Sequence, residues 1–308
     1  MRLLSHALPI AGAVAVALLA RPVGAVTVDG QLDADYGLAL STQTTQTQYD
    51  DNLGLVDGSN GSELDEAYGF VANGTLYLFI TGNVYENWLP PELGTAHQVL
   101  SIFFDTGPGG QSPLRADNPP LEGLSVLPGL KFDADFTPDY FVGFNPGGWP
   151  LGPFYTVVGY ATLPAGGGAT GYVVGNGAAG APGTLTGGTN PFGILASINN
   201  QNGAGVGTGC GAASGAGVRT GVELAIPLAA LGNPTGCIKA CAMISYPGYS
   251  AHALSNQILG PVPPGTCELG DPMKTDLSTL PGNQYFTICP QATPSHDLSW
   301  GKVKTLYR

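Results

Sequence analysis

From Val26 onward, short runs of β-branched and aromatic residues alternate with clusters of Gly, Pro, Asn, Asp and Ser. That punctuation predicts strands and turns, and no stretch keeps a convincing helical spacing of apolar positions. The clearest element is a hairpin. Ala67 to Ala72 and Thr75 to Thr81 flank Asn73-Gly74, a pair that tolerates the positive φ of a type I′ turn. Tyr68, Phe70, Tyr77 and Phe79 share one parity, while Leu76, Leu78 and Ile80 share the other. Apolar residues on both faces predict strands buried between layers. Val99–Phe104 reads as a second buried strand, stopped by the Asp105–Gly110 turn run. Further strands are predicted at Val26–Val28, Leu130–Phe132, Tyr140–Phe144, Tyr155–Leu163, Val218–Ile226, Ile238–Tyr246 and Tyr285–Cys289, and a single helical turn at Pro227–Leu231. The Gly-rich stretches Ala165–Thr189 and Asn202–Gly217 read as long loops or irregular strand edges. The fold class that follows is all-β, an antiparallel two-sheet sandwich of jelly-roll type with long Gly/Pro-rich loops.

Ahead of this pattern, residues 1–25 read as a secretory signal peptide. Arg2 is followed by an apolar run from Ala7 to Ala20 and by small residues at Val23, Gly24 and Ala25. The run is shorter than the ~20 residues that span a bilayer. The expected organisation is therefore signal peptide 1–25, sandwich domain 26–290, and a linker with a short basic tail over 291–308. The mature chain contains no other stretch apolar enough for a transmembrane helix, and the expected location is extracellular or at the cell surface.

Composition sharpens this picture in two ways. Gly numbers 48 and Pro 26, against an apolar fraction of 43% that still supplies a core. Charge is sparse and one-sided, with 22 acidic residues against ten basic ones, two of which lie in the leader. Most of the acidic residues fall between Asp29 and Asp139, beside only Arg115 and Lys131. A nucleic-acid partner is excluded, because phosphate binding needs a basic footprint. Five cysteines remain after export, Cys210, Cys237, Cys241, Cys267 and Cys289. An oxidising compartment makes them disulfide candidates with one left over, and neither paired C-x-x-C spacing nor a neighbouring His pattern supports zinc.

Three segments together carry a resemblance. VDGQLDADY over Val28–Tyr36, GTLYLFITGN over Gly74–Asn83 and ELAIPL over Glu223–Leu228 resemble, in that order, the DOMON-like sandwich superfamily, which includes the family-nine carbohydrate-binding modules. A closer likeness is to uncharacterised secreted bacterial proteins sharing IFFDTGPGGQ (Ile102–Gln111), LSNQIL (Leu254–Leu259) and LGDP (Leu269–Pro272). The resemblance implies a two-sheet sandwich with an extracellular role and no particular reaction. Many of those proteins carry a Pro-Glu-Pro sorting tag that this sequence lacks. The tail from Trp300 to Arg308 is similar to short basic tails of other secreted proteins, and reads equally as a last strand.

Catalytic motifs are absent. No G-x-S-x-G elbow occurs, His97, His252 and His296 are isolated, and the Gly203–Gly209 run lacks the third glycine of a dinucleotide fingerprint. Asp133, Asp135 and Asp139, with Asp105 or Glu223 joining them in space, are the carboxylates that glycoside hydrolysis would need. Asp105, Asp133, Asp135 and Asp139 are equally a ligand set for a structural Ca²⁺, or ordinary solvated carboxylates. Trp88 and Trp149 sit in Pro-containing loops with Tyr85 and Tyr155 nearby. Such rings serve as platforms for sugar faces or close the ends of a sandwich. The leading expectation is a non-catalytic secreted module that binds extracellular glycan or envelope components. A purely structural surface or matrix protein is the alternative, and a polysaccharide hydrolase the third.

Overall fold

The computed structural model describes residues 26–48, 61–84, 98–121, 123–148, 152–178, 183–247 and 252–290. These residues build one compact unit, Ala25–Gln291. In chain order its strands are β1 (Ser41–Thr42), β2 (Glu63–Ala72), β3 (Thr75–Asn83), β4 (Val99–Asp105), β5 (Tyr140–Gly148) and β6 (Gly152–Thr162). They continue as β7 (Gly171–Ala178), β8 (Leu195–Ile198), β9 (Gly221–Pro227), β10 (Ile238–Pro247), β11 (His252–Leu259) and β12 (Phe286–Ile288). One antiparallel sheet runs β1-β2-β3-β9-β8. The other runs β11-β10-β4-β5-β6-β7, with β12 also paired to β10. The fold is an all-β sandwich, as the alternation of strand and turn residues predicts.

The β2–β3 hairpin shows how local chemistry sets the register. Asn73 and Gly74 take φ of 50° and 74°, the left-handed pair a two-residue turn requires. Ala72 then faces Thr75, and every position outward to Ala67 and Ile80 is fixed. Leu76, Leu78 and Ile80 point between the sheets and meet Leu100, Ile102 and Phe104 from β4. Along β10, Ile238, Ala240, Ala242 and Ile244 complete that central core.

Both sheets are also covered on their outer faces, which is why so many strands read apolar on both parities. Outside the seven-stranded sheet, Phe103, Phe141, Cys241 and Met243 pack beneath Leu124, Leu127, Phe132 and Phe136. That cover is irregular chain, pinned where Lys131 N–H donates to the Thr275 carbonyl and Leu277 N–H donates to the Lys131 carbonyl. Outside the five-stranded sheet, Tyr68, Phe70 and Phe79 form an aromatic patch closed by Tyr36 from the N-terminal segment. The Phe70 and Tyr77 rings stack at 5.0 Å, and Tyr36 meets Phe70 edge-on at 5.4 Å.

Several expectations need correction. Leu130–Phe132 is not a strand; Lys131 makes a single bridge to Asp276, because the chain there belongs to the cover. Val26–Val28 joins no sheet ladder, although the Val28 carbonyl accepts from the Gly183 amide, and the first bridge is Gln31 with Thr220. The Gly-rich stretch Ala165–Thr189 contains β7, an edge strand, which fits the strand-edge alternative. β8 and β11 are strands the sequence pattern did not predict. The helical turn is a 3-10 turn at Leu228–Leu231.

Two disulfides, Cys210–Cys267 and Cys237–Cys289, staple the last third, and Cys241 is a free thiol with no exposure. Burial pushes the Cys241 thiol far above its ordinary range, with the Asp133 carboxylate adding to the effect. Two disulfides fit an extracellular protein. No helix among the described residues is long and apolar enough to cross a membrane. Thiol titration is expected to find no reactive group in the native protein and one in denaturant. Reduction in denaturant should release all five cysteines. A thiol that reacts natively would contradict the burial of Cys241.

Candidate functional site

Lys239 organises the predicted acidic cluster. β10 alternates inward and outward side chains, so Lys239 shares the outer face with Cys241 and Met243. Antiparallel register sets Lys239 directly opposite Asp105, the last residue of β4. The ammonium is 3.9 Å from Asp105 Oδ2, donates to the Asp135 carbonyl oxygen and lies 5.1 Å from the centre of the Tyr285 ring. Tyr285 in turn stacks on Phe136, so the ring is held flat. Burial raises the Tyr285 hydroxyl above its ordinary range, with help from Asp135, Asp133 and Asp105.

The four predicted aspartates take separate parts around it. Asp105 accepts from the Gly107 and Thr137 amides and ends the strand. Asp139 accepts from both the amide and the hydroxyl of Thr106, at 2.9 and 3.2 Å, and its carboxyl is raised chiefly by burial. Asp133 is buried and accepts from the Gln284 amide at 2.6 Å; burial again raises its carboxyl, with Asp135 and Asp276 adding to it. Asp135 is exposed, and it lies with Asp133 on a turn. Among the described residues, no three His, Cys, Asp or Glu side chains converge to hold a metal ion. The charge next to Asp105 is instead the Lys239 ammonium.

Between these groups lies a depression of about 330 Å³ lined by Asp105, Thr106, Gly107, Thr137, Cys237 and Lys239. The Cys237–Cys289 bridge forms part of its wall and ties the residue before β10 to the residue after β12. The lining alternates donors and acceptors. Lys239 donates, the Asp105 carboxylate accepts, and the threonine hydroxyls do both.

Glu223 does not join this cluster. It belongs to β9, opposite Phe79 and Ser197, on the outer face of the five-stranded sheet. There it has no exposure. Its Oε2 accepts from the Asp29 and Gly30 amides at 2.8 and 3.0 Å, and its Oε1 accepts from the Tyr36 hydroxyl at 2.9 Å. Burial lifts its carboxyl to about 7 against those hydrogen bonds. Its role is to clasp the N-terminal segment.

Trp88, Trp149 and Tyr85, predicted as sugar platforms, lie outside the described residues. Tyr155 belongs to β6, where its backbone faces Ala178. His97, His296 and the basic tail also lie outside the described residues. Lys239, Tyr285, Thr106 and Thr137 were not predicted. The available signal was Lys239 itself, one of few basic residues, set inside an otherwise apolar strand with Asp105 ending another. No protein-family model, curated protein or solved structure matches the chain.

Proposed function

We propose that the chain is an extracellular, non-catalytic β-sandwich module that binds a neutral polyhydroxylated ligand, a glycan, in the depression around Lys239. The observation that carries this reading is the pairing of opposite charges at the site. A free phosphate or sulfate would meet the Asp105 carboxylate, and a metal ion would meet the Lys239 ammonium. A neutral polyol meets neither repulsion. Its vicinal hydroxyls can accept from the amine, donate to the Asp105 carboxylate and exchange with Thr106 and Thr137. The volume of about 330 Å³ falls within the ~300–1,000 Å³ range of small-molecule sites. The sequence likeness to the DOMON-like superfamily, with its carbohydrate-binding members, supports the same reading.

The test is a glycan array on the purified chain, followed by calorimetry with the best neutral oligosaccharide. Lys239→Met is expected to weaken binding about tenfold or more, since hydrogen bonds to a charged group are worth ~1.5–3 kcal/mol, and Thr137→Val about fivefold, since a neutral hydrogen bond is worth ~1 kcal/mol. Tm should be recorded alongside, to show that each variant remains folded. Retention of no neutral glycan, or affinity unchanged in both variants, would remove the proposal.

A further inference from the structure

The N-terminal segment from Val28 to Tyr36 lies over the aromatic face of the five-stranded sheet as a strap. Its backbone is fixed at few points. The Val28 carbonyl accepts from the Gly183 amide, the Gly30 carbonyl accepts from the Gly221 amide, and the Leu32 amide donates to the Arg219 carbonyl. The Arg219 guanidinium also donates to the Leu32 carbonyl, at 2.7 Å. β3 beneath it is hydrogen-bonded along both edges, to β2 and to β9. A segment with so few backbone anchors opens at lower cost than the sheet that carries it. A hinge follows the strap. Gly37 takes φ of 75°, a Cβ there would meet nothing within 4 Å, and Leu38 is 89% exposed. The chain is held again at Leu40, whose amide donates to the Ala67 carbonyl.

One buried carboxyl closes the strap. Both Glu223 oxygens bond to strap residues, Oε2 to the Asp29 and Gly30 amides and Oε1 to the Tyr36 hydroxyl. No ion pair among the described residues involves Glu223. The titratable and charged groups around it are Asp29, Asp33 and Tyr36 on the strap, Glu66 and Tyr68 on β2, Tyr77 on β3, and Arg219 ahead of β9. Phe79 and Ser197 are its cross-strand neighbours. A charge buried without a cation is costly, and Asp29 adds to that cost.

We propose that the strap is a pH-operated cover, in which deprotonation of Glu223 loosens it about Gly37 and bares the Tyr68, Phe70 and Phe79 face while the sandwich stays folded. The device is independent of the glycan reading, since it shares no residue with the Lys239 depression. Burial holds the Glu223 carboxyl at about 7 while the strap is closed, and opening returns it to water and to its ordinary 4.5. Below 4.5 the group is protonated in both states, and the strap is most secure. Between 4.5 and 7 opening releases a proton, so opening becomes easier as pH rises; above 7 the gain levels off. From pH 5 to pH 8 the open population should rise on the order of 50-fold.

Amide hydrogen exchange of the full chain from pH 5 to pH 8, corrected for the intrinsic rate at each pH, tests the proposal. The Gly30 and Leu32 amides are expected to lose protection on the order of 50-fold across that range. At every pH they should stay less protected than the Leu78 and Ile80 amides of β3. Glu223→Gln removes the charge and should hold the strap as firmly at pH 8 as at pH 5. The parent profile decides the matter even if the glutamine chain fails to fold. Strap protection that is the same at pH 5 and pH 8, strap and β3 amides that exchange together at every pH, or a glutamine chain with the parent's slope would each overturn the proposal.

Discussion

Replacing Glu223 with alanine is expected to lower stability by on the order of 4 kcal/mol at pH 5, and by less at pH 8. The loss at pH 5 comes from three donors left without their partner, the Asp29 and Gly30 amides and the Tyr36 hydroxyl, around a carboxyl that itself has no exposure. The pH dependence comes from the carboxyl titrating at about 7 in the fold, above its ordinary 4.5. Below 4.5 the group is protonated whether the chain is folded or not. Between 4.5 and 7 the unfolded chain releases a proton that the folded chain keeps, so stability falls as pH rises. Above 7 the difference levels off, at on the order of 3 kcal/mol. The parent thus enters pH 8 with a strained carboxylate that alanine no longer has to bury.

Glutamine separates charge from shape. Its Oε1 can still accept from Asp29 and Gly30, and its amide can donate to Tyr36, whose hydroxyl accepts as readily as it donates. Glu223→Gln should match the parent at pH 5 and exceed it at pH 8. Denaturant melts across pH 4 to 8 decide the matter. A parent whose stability rises through that window, or a glutamine variant that follows the parent's slope, would show that Glu223 is not the titrating clasp.

Removal of either disulfide is expected to cost about 4 kcal/mol. The bridges close loops of 57 and 52 residues, and loop-closure entropy for such lengths comes to about that value. Each bridge should be removed as a pair, Cys210→Ser with Cys267→Ser or Cys237→Ser with Cys289→Ser, so that no new thiol competes with Cys241. Because the two loops overlap between residues 237 and 267, each bridge closes a shorter path while the other is present, and deleting both should cost more than the sum of the two single deletions. Strict additivity in urea melts, or losses below about 1 kcal/mol, would mean the bridges do not constrain the unfolded chain in this way.

The hairpin, the buried β4 and the class of fold were legible because their signals are local. Asn73-Gly74 sets its own turn, and period-two alternation needs no knowledge of the partner strand. β11 was not legible, because His252–Leu259 carries Ser255, Asn256 and Gln257 where a strand normally carries apolar residues. Those polar side chains are buried all the same. Asn256 donates to the Gln46 and Thr266 carbonyls, and Gln257 Oε1 accepts from the Leu64 amide. They act as fixed backbone partners for the Thr- and Gln-rich segment after β1, a use that composition cannot announce. The acidic site was half legible. The carboxylates stood out in the sequence, but the cation beside them comes from a strand 134 residues past Asp105, and only the register joins the two.

The clasp at Glu223 also sets an order of events. Tyr36 reaches its partner across 187 residues and Asp29 across 194. A chain delivered from its N-terminus presents first the one segment with nothing yet to dock on. Tyr68, Phe70 and Phe79 arrive next and stay bare until β9 brings the carboxylate and the opening segment folds back. The segment around Tyr36 therefore cannot dock until β9 has been delivered, and in the interval that aromatic face lies uncovered.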